Sequence, residues 1–549
     1  MNFWRTTLKI FNAADFGIVP NEDISEKLAE FISALKAEDG EKTAVFGSGT
    51  YYIDSERCKE YMLVITNTAG EKEFSPDETP HLNAVPFYFG GVSDLIFDGG
   101  DSIFVIDGKV TNVAIEDCRN ITMRNLEIRH ARPDMHELSV VRKSAFSVDF
   151  KIDSDSSFSV ENGKLVFSGH GYKNCCDMSS VNAGWIGLIR EKTPEKVKRV
   201  MHPLFSSISV RDMGGGVIRA KYLNISRFTL GDRFYYYDVR RQFAGIFINR
   251  SENITLENIK QRFNYSLALV VQDSENLTVD SVDFSPEQGS ARLLASVADF
   301  IQLCMCRGQI TVKNSYFSGA GDDCLNVHGV HFKIVDISGR DMTVSFMHPQ
   351  TYGFDPLRVG DTVAFINPDT MLENGQAVIE KSELVNNYDI KLTLSSVDGA
   401  QVGMVIEDVS ACPNLDFIGN TMTRIITRGL LITTRGKVNV KNNHFVSTTM
   451  SGILLSDDAK NWYESGMCRD VTIENNVFDY CGETPILIKP ENSRYEGAVH
   501  KNIKIIGNEF KSYKGCCISA KATDDILVEN NKFSGEKIKT QNCNNINVR

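Results

Sequence analysis

Two adjacent carboxylates stand out within Gly319–Gly329, which reads Gly-Ala-Gly-Asp-Asp-Cys-Leu-Asn-Val-His-Gly. They belong to Asp322 and Asp323, and a third acid, Asp299, lies 23 residues before Asp322. Carboxylates held close together cannot ionise independently, so at least one pKa should rise and keep a proton available near neutral pH. A carboxylic acid beside a carboxylate is the pair that hydrolysis of a glycosidic bond requires. The three acids therefore form a candidate glycosidase site.

The spacing of these acids matches a repeat that runs along the chain. In the C-terminal part, alternating Ile and Val residues are closed by Asn and Phe, and the second Asn of each unit recurs as Asn420, Asn443, Asn476, Asn508 and Asn531. The intervals are 23, 33, 32 and 23 residues, so the longer ones hold a repeat plus a loop. Strand-only units of this length predict a solenoid. Asp299 and Asp322 should then occupy equivalent positions on neighbouring turns.

The repeat favours an all-β fold, a right-handed parallel β-helix. Leucine-rich spacing is missing, and propeller blades are longer, at about 40–50 residues. Apolar residues at helical spacing between 24 and 35 predict an N-terminal helical cap. Two stretches lack the Asn signature and predict small antiparallel β modules inserted between turns. The predicted units are the cap and first turns (1–146), the first inserted module (147–238), the central turns with the aspartates (239–330), the second inserted module (331–408) and the C-terminal turns (409–549).

Composition restricts the partners and the location. The 549 residues carry a formal charge of -12, which argues against nucleic acid or an anionic membrane as the partner. No membrane-spanning apolar run or signal peptide is visible, which predicts a cytoplasmic protein as the sequence stands, or an extracytoplasmic one if a signal was removed. Whether it forms a homodimer is open. The 13 irregularly placed cysteines predict reduced thiols, and Cys304 and Cys306 lack the second half of a zinc site.

Aligning the turns predicts what surrounds the acids. If Asp322 is in register with Arg428, then Asp299, one aspartate of the pair and Arg428 line one groove, because neighbouring strands lie about 4.8 Å apart. In a regular strand Asp322 and Asp323 would point to opposite faces, and an unpaired buried carboxylate costs several kcal/mol. We therefore expect a bulge at Gly319–Gly321 that turns both acids outward. The alternative is a solvated turn without catalytic function, which is also how we interpret Asp457-Asp458.

Three further residues are candidates for substrate binding. Arg428 could hydrogen-bond sugar hydroxyls or hold a uronate, or it could be an ordinary surface arginine. Trp462 follows a strand of the same column and could stack on a sugar ring, or it could anchor its loop. His328 lies five residues after Asp323 and is either a site residue or a structural histidine near the strand end. Arg307 and Arg435 are weaker candidates.

The pattern of Asp299, Gly-Asp-Asp-Cys at 321–324 and a following His-Gly resembles the three-aspartate pattern of polygalacturonases, which are inverting β-helix hydrolases. Together with residues 296–300, the cap and the two modules, it more closely resembles glycoside hydrolase family 110. That resemblance implies an inverting exo-enzyme that removes terminal α-1,3-linked galactose, as in blood group B antigens. It implies Asp322 as the general acid, with Asp299 and Asp323 holding and deprotonating the attacking water. In polygalacturonases the His-Gly lies on a later turn, which puts the role of His328 in doubt.

Other functions remain open on the sequence alone. A polygalacturonase-like hydrolase would need a cationic subsite for uronates, and Arg428 has no clear lysine partner. A pectate-lyase-type elimination would use the aspartates as calcium ligands. A non-catalytic carbohydrate-binding solenoid would use them only as surface. The leading hypothesis is a hydrolase of galactose-terminated glycans that needs neither cofactor nor metal.

Overall fold

The computed structural model describes residues 8–68, 81–176, 184–189, 196–201, 203–237, 241–290, 292–513 and 515–549. The N-terminal segment 1–5 and the predicted boundary at 238 lie outside them. These residues form a parallel β-helix with two antiparallel modules and an N-terminal helix, so the predicted fold class is confirmed. No helix in this part of the chain is both long and apolar enough to cross a membrane.

The coil has a larger and a smaller parallel sheet. The larger sheet has 21 strands and bends, so that most turns contribute two consecutive strands to it. These strands are Lys9–Asn12, Lys42–Val45, Thr50–Asp54, Ser93–Asp107, Arg119–His130, Glu252–Gln261, Glu275–Asp280, Asp283–Phe284, Arg307–Lys313, Tyr316–Ser318, Asn414–Ile418, Thr421–Ile425, Lys437–Lys441, His444–Thr448, Asp470–Glu474, Val477–Asp479, His500–Ile506, Glu509–Phe510, Thr523–Glu529, Lys532–Phe533 and Ile546–Val548.

The smaller sheet receives one strand from each turn, and its outer face bears the candidate site. Its strands are Phe87–Gly90, Val113–Glu116, Ala244–Asn249, Leu267–Gln272, Ile301–Cys304, Leu325–Ser338, Leu430–Ile432, Ile453–Leu455, Ile486–Ile488, Ile518–Lys521 and Ile538–Gln541. Alternate residues point inward, as at Leu430 and Ile432, which are fully buried. The residues between them face out from the coil.

The two asparagines of each repeat have different structural roles. The first Asn of a pair takes the left-handed corner conformation, as at Asn442 and Asn475, with φ of 57° and 54°. The second Asn is buried and forms a ladder, in which Asn443 Nδ2 donates to Asn476 Oδ1 at 2.9 Å and Asn476 Nδ2 donates to Asn508 Oδ1 at 3.0 Å. The ladder satisfies polar groups inside the coil. It thereby holds successive turns in register.

The N-terminal helix Ser25–Ala37 covers the first turns, and Leu28, Phe31 and Leu35 on its buried face confirm the predicted cap. Two short 3₁₀ helices, Ala13–Phe16 and Ser55–Arg57, flank it in the chain. The strands Glu60–Leu63 and His81–Ala84 form a separate antiparallel pair.

The first inserted module consists of antiparallel sheets of seven and three strands. Its strands are His136–Ser144, Ser147–Ile152, Ser157–Glu161, Lys164–Gly169, Tyr172–Cys175, Gly184–Ile189, Lys196–Arg199, Ser209–Asp212, Val217–Lys221 and Arg233–Tyr237. The first of these begins ahead of the predicted boundary at 147.

The second module is a closed antiparallel barrel. The smaller-sheet strand Leu325–Ser338 continues out of the coil and pairs on one side with Asp341–Ser345 and on the other with Val405–Asp408. Three further strands complete the ring, namely Thr362–Asn367, Leu372–Leu384 and Asp389–Leu394. The barrel has its own apolar core, which includes Phe332, Phe365 and Leu392. It stands directly beside the candidate site because it grows from the strand that follows Asp323.

Candidate active site

The three aspartates meet where the chain enters the smaller sheet. Ile301 pairs with Leu325, and Leu325 pairs with Leu430, so Asp299, Asp323 and Arg428 precede these strands at equivalent positions. The predicted register, which matched Asp322 to Asp299 and Arg428, is wrong by one residue. Asp299 and Asp323 are 24 residues apart, one more than the 23-residue repeat that was used to align the turns.

Asp322 and Asp323 lie in a turn rather than within a strand. The preceding strand ends at Ser318 and the next begins at Leu325, so both side chains can approach the same cavity without a bulge inside a strand. The glycines of Gly319–Gly321 are needed because the backbone of the previous turn lies close. A Cβ at residue 319 would come within 2.2 Å of the Leu293 carbonyl oxygen, and one at residue 321 within 2.0 Å of that of Val297. Gly319 also has φ of +82°, which favours glycine.

Asp323 is buried and held by donors on the following turn. Its Oδ1 accepts hydrogen bonds from the Arg428 backbone N–H at 3.0 Å, from Arg428 Nε at 2.9 Å and from the Thr427 hydroxyl. Arg428 Nη2 lies 2.9 Å from Oδ2, so the guanidinium grips the carboxylate as a fork. Burial raises the pKa of Asp323, while Arg428 opposes that rise. These donors favour the ionised carboxylate and fix its orientation.

Asp299 is equally buried, and no ion pair joins it directly to an arginine or lysine among the described residues, although the charge of Arg241 partly lowers its pKa. It is 3% exposed, and its Oδ1 accepts the Asp323 backbone N–H at 3.0 Å. Burial raises the pKa of Asp299 well above its usual range, and the neighbouring Asp322 and Asp323 raise it further. Asp299 is therefore the member of the group that most readily keeps a proton at neutral pH.

Asp322 is the most accessible of the three. Its side chain is 19% exposed, against 2% for that of Asp323. Arg241 Nη2 donates to its Oδ2 at 2.6 Å, and Arg241 Nη1 donates to Asn67 Oδ1 at 3.0 Å. Asp322 is thus the carboxyl that a ligand in the cavity can reach most easily.

The three acids form a compact group, with one oxygen from each within 4.8 Å of the others. Among the described residues this is the one cluster of three or more side chains with metal-ligating spacing. Its donor set does not suit a cation well, because Arg241 and Arg428 already neutralise two of the three carboxylates. Cys304 and Cys306 are buried free thiols. The two arginines therefore compete with any cation for the oxygens of this group.

A cavity of about 470 Å³ opens over the acids and extends across the outer face of the smaller sheet. Most of its lining residues are polar or charged, and they include the carboxylates of Asp458, Glu464 and Glu491 in addition to the three aspartates. Arg241 and Arg428 are the two cationic residues of the lining, and both are already paired. The other lining residues are Asn67, Asn326, Thr427, Leu431, Met450, Leu454, Ser456, Asn461 and Trp462.

Comparison with known proteins assigns the family. A right-handed β-helix model matches residues 428–549, and a model of GLAA-B β-barrel domain II matches residues 341–402. The chain is 32% identical to an α-1,3-galactosidase A of Bacteroides thetaiotaomicron, over 100% of this chain and 98% of the relative. The chain belongs to the α-1,3-galactosidase family. Another member of the α-1,3-galactosidase family, from Akkermansia muciniphila, is 32% identical over 80% of this chain and 73% of its own length.

Solved structures of more distant proteins align with the chain over most of its length. Polygalacturonase from Erwinia carotovora ssp. carotovora aligns over 98% of this chain and 96% of its own, with 11% identity and a TM-score of 0.40.

Of the three residues predicted to bind substrate in this member of the α-1,3-galactosidase family, two line the cavity and one does not. Arg428 and Trp462 line the cavity. His328 does not: it is 3% exposed, its Nδ1 lies 2.8 Å from the Gly329 carbonyl oxygen, and its Nε2 lies 2.5 Å from Gln302 Nε2. By the alternation of the strand it shares the outward face with Asn326, and its Nε2 lies 3.8 Å from Oε1 of the cavity-lining Glu464, so a role for His328 in the site stays a prediction.

The arginines considered weaker candidates tie the barrel to the coil. Arg307 pairs with Asp361 and Asp408, and Arg435 pairs with the buried Glu407. Neither arginine lines the cavity.

The interpretation of Asp457-Asp458 as a solvated turn is wrong. Asp457 is fully buried and lies 2.9 Å from His331 Nε2. Asp458 is 7% exposed and accepts backbone N–H groups of the loop that follows it, including that of Trp462 at 2.7 Å. Asp458 therefore lines the cavity, whereas Asp457 is fully buried and does not.

Several cavity residues were not foreseen from the sequence, and four of them take part in the contacts described above or below. Arg241 and Asn67 lie outside the repeat, so the alignment of turns could not bring them to the site. Glu464 accepts a hydrogen bond from Asn326 Nδ2 at 2.9 Å. Asn326 was accessible to the alignment, because it pairs with Leu431 and occupies the outward position one residue after Leu325.

Proposed function

We propose that this protein is an exo-acting glycoside hydrolase that releases terminal α-1,3-linked galactose from oligosaccharides or glycoconjugates with inversion of the anomeric carbon. The observation that carries the proposal is the convergence of Asp299, Asp322 and Asp323 in one cavity of a chain that belongs to the α-1,3-galactosidase family. Blood-group-B-type glycans are one source of the linkage.

The roles follow from exposure and pairing. Asp322 is the carboxyl most accessible to a glycosidic oxygen and would act as the general acid, whereas Asp299 and Asp323 would hold and deprotonate water. In the unliganded protein Arg241 Nη2 donates to Oδ2 of Asp322, one of the two oxygens of that carboxyl. As general acid, Asp322 would carry its proton on the other oxygen, and Asp299, whose pKa is raised, lies beside it as a source of that proton.

Inversion rests on how Asp323 is held. Carboxyl separations of about 5–5.5 Å are typical of retaining enzymes and about 6.5–9.5 Å of inverting ones. The oxygens here are closer than either range, so spacing does not decide the outcome. Both oxygens of Asp323 accept donors from Thr427 or Arg428, which suits a base that orients water better than a nucleophile that must attack carbon. The product should therefore appear first as β-galactose in a proton NMR time course.

The assignment of roles can be tested with two substrates. α-Galactosyl fluoride needs no protonation of its leaving group, whereas an α-1,3-linked galactobiose does. Asp322→Asn should lose about 10³-fold in kcat on the disaccharide and keep most of its activity on the fluoride. Asp323→Asn should lose activity on both. If Asp299→Asn rather than Asp322→Asn showed selective loss on the disaccharide, Asp299 would be the acid.

A polyuronate substrate is the second candidate, and the charge of the cavity argues against it. Six carboxylates line the cavity, and its two arginines are already paired with Asp322 and Asp323. A uronate would meet repulsion at the subsite beside the acids. Release of reducing ends from polygalacturonate without hydrolysis of galactobiose would refute the proposed function.

A further inference from the structure

The cavity floor has two chemically different ends. Asn326, Leu431 and Leu454 lie side by side on the outer face of the smaller sheet, in register from turn to turn. The aspartates precede these strands, whereas Trp462 lies in the loop that follows Ile453–Leu455. A strand of three residues spans about 10 Å. A sugar ring bound at the acids and a ring bound at Trp462 would therefore be different units of the substrate.

Trp462 presents a large apolar surface at the second end. Its side chain is 49% exposed although its loop is firmly held. Asp458 accepts the Trp462 backbone N–H, and Lys460 of the same loop pairs with Asp369 of the barrel module at 2.6 Å. The next residue, Tyr463, has φ of +57°, a conformation that bulky residues rarely adopt. The loop thus keeps the indole exposed at the edge of the cavity.

His348 of the barrel module packs on the indole. The ring centroids of His348 and Trp462 are 4.5 Å apart and the rings are nearly parallel, at 25°. Burial lowers the pKa of His348 to about 4, so the imidazole is neutral under physiological conditions and can remain stacked. In the same connection between barrel strands, the Gln350 carbonyl oxygen accepts a hydrogen bond from the Asn67 backbone N–H at 2.7 Å. The side-chain oxygen of Asn67 in turn accepts a hydrogen bond from Arg241, which also donates one to Asp322.

We infer that Trp462 binds the sugar on the leaving-group side of the scissile bond, and that His348 is a positioning residue that holds the indole for it. The inference rests on the proposed function and adds what the inserted barrel contributes to it. The chemistry is stacking of the apolar face of a pyranose ring on an aromatic platform. The neighbouring Leu431 and Leu454 extend that platform along the floor.

The experiment compares a substrate that has a leaving sugar with one that has none. Wild type, His348→Ala, His348→Phe and Trp462→Ala are assayed on α-1,3-galactobiose and on α-galactosyl fluoride. We expect His348→Ala to raise KM for the disaccharide about three- to ten-fold with little change in kcat, and Trp462→Ala to raise it at least as much. His348→Phe should restore wild-type KM because phenylalanine can also stack. On the fluoride, which has no leaving sugar to stack on the indole, the rise in KM should be smaller than on the disaccharide for both His348→Ala and Trp462→Ala.

The outcomes separate this inference from the proposed function. Failure of wild type to cleave the disaccharide would overturn both. If wild type cleaves it but His348→Ala affects the two substrates equally, the histidine has only a general structural role and the inference is wrong. Unchanged KM in Trp462→Ala would also overturn it. Equal thermal unfolding midpoints for His348→Ala and His348→Phe would confirm that the rescue is not a gain in stability.

Discussion

Replacing Asp299 by asparagine should abolish activity and stabilise the protein at neutral pH. Asparagine has nearly the same shape and keeps an oxygen that can accept the Asp323 backbone N–H. It removes a carboxyl that is 3% exposed and lies beside two other acids. The catalytic group would thus be exchanged for a neutral one that the same buried position accommodates better.

The magnitude follows from the spacing of the acids. Two unit charges 4.8 Å apart repel by about 3–4 kcal/mol at an effective dielectric constant near 20. Arg241 and Arg428 offset much of this repulsion, which leaves mainly the cost of burying Asp299. Asp299 thus keeps a proton rather than ionising, at a cost of about 1.4 kcal/mol for each pH unit between its unfolded and its raised folded pKa, so we expect the free energy of unfolding to rise by several kcal/mol at pH 8.

The sign of the pH dependence is fixed by the raised pKa of Asp299. A group whose pKa is higher in the folded state contributes stability below its unfolded pKa, near 3.9, and that stability is lost as pH rises through the folded pKa. The asparagine of the variant would not titrate in this way. The variant should therefore match wild type near pH 4 and gain stability progressively toward pH 8.

Urea denaturation of both proteins at pH 4.5, 6 and 8, with hydrolysis measured alongside, tests this reasoning. Asp525→Asn is the matched control, because Asp525 is an exposed aspartate on a later turn, and it should change stability little at any pH. A variant less stable than wild type at pH 8, or a difference that does not vary with pH, would refute the argument that Asp299 is held at an energetic cost.

Two further predictions concern the arginine fork and the asparagine ladder. Arg428→Ala should lower kcat/KM by about 10²-fold and move the acidic limb of the pH–rate profile to higher pH, because Arg428 lowers the pKa of Asp323. Arg428→Lys should give values of both quantities between those of wild type and Arg428→Ala, because lysine keeps the charge but cannot grip the carboxylate as a fork. An unshifted limb in Arg428→Ala would contradict that role. Asn476→Ala should reduce the free energy of unfolding by about 1–3 kcal/mol without changing KM, because it leaves buried polar groups unpaired. Asn439→Ala, on the outer face of the coil, is the control for denaturation and should cost less.

The features that repeat along the chain could be predicted from the sequence. The interval between asparagines indicated the coil, and the same interval brought Asp299 near Asp322 and Asp323. Arg428 was found because it occupies the equivalent place one turn later. Interruptions of the repeat indicated the two modules. Each of these conclusions depends on local patterns that recur, and recurrence is visible without a structure.

Contacts made outside the repeat could not be predicted in this way. Arg241 reaches Asp322 from the segment that returns from the first module, and no periodicity connects the two. Asp457 looks like part of a solvated turn until its buried partner His331 is known. The register error arose because one turn contains an additional residue, which a fixed interval cannot reveal. His328 was ambiguous because the sequence does not show whether an outward-facing side chain of the sheet is open to the cavity or covered by neighbouring residues.

The barrel also governs the order in which the site can assemble. The hydrogen bond from the Arg428 backbone N–H to Asp323 joins residues 105 positions apart. Closing a flexible loop of that length costs on the order of 4 kcal/mol in chain entropy. Pairing of Lys333 with Val405 in the barrel brings most of that segment together first. During synthesis the barrel should therefore fold before the next turn of the coil docks, and until then Asp323 remains hydrated, ionised and without its arginine.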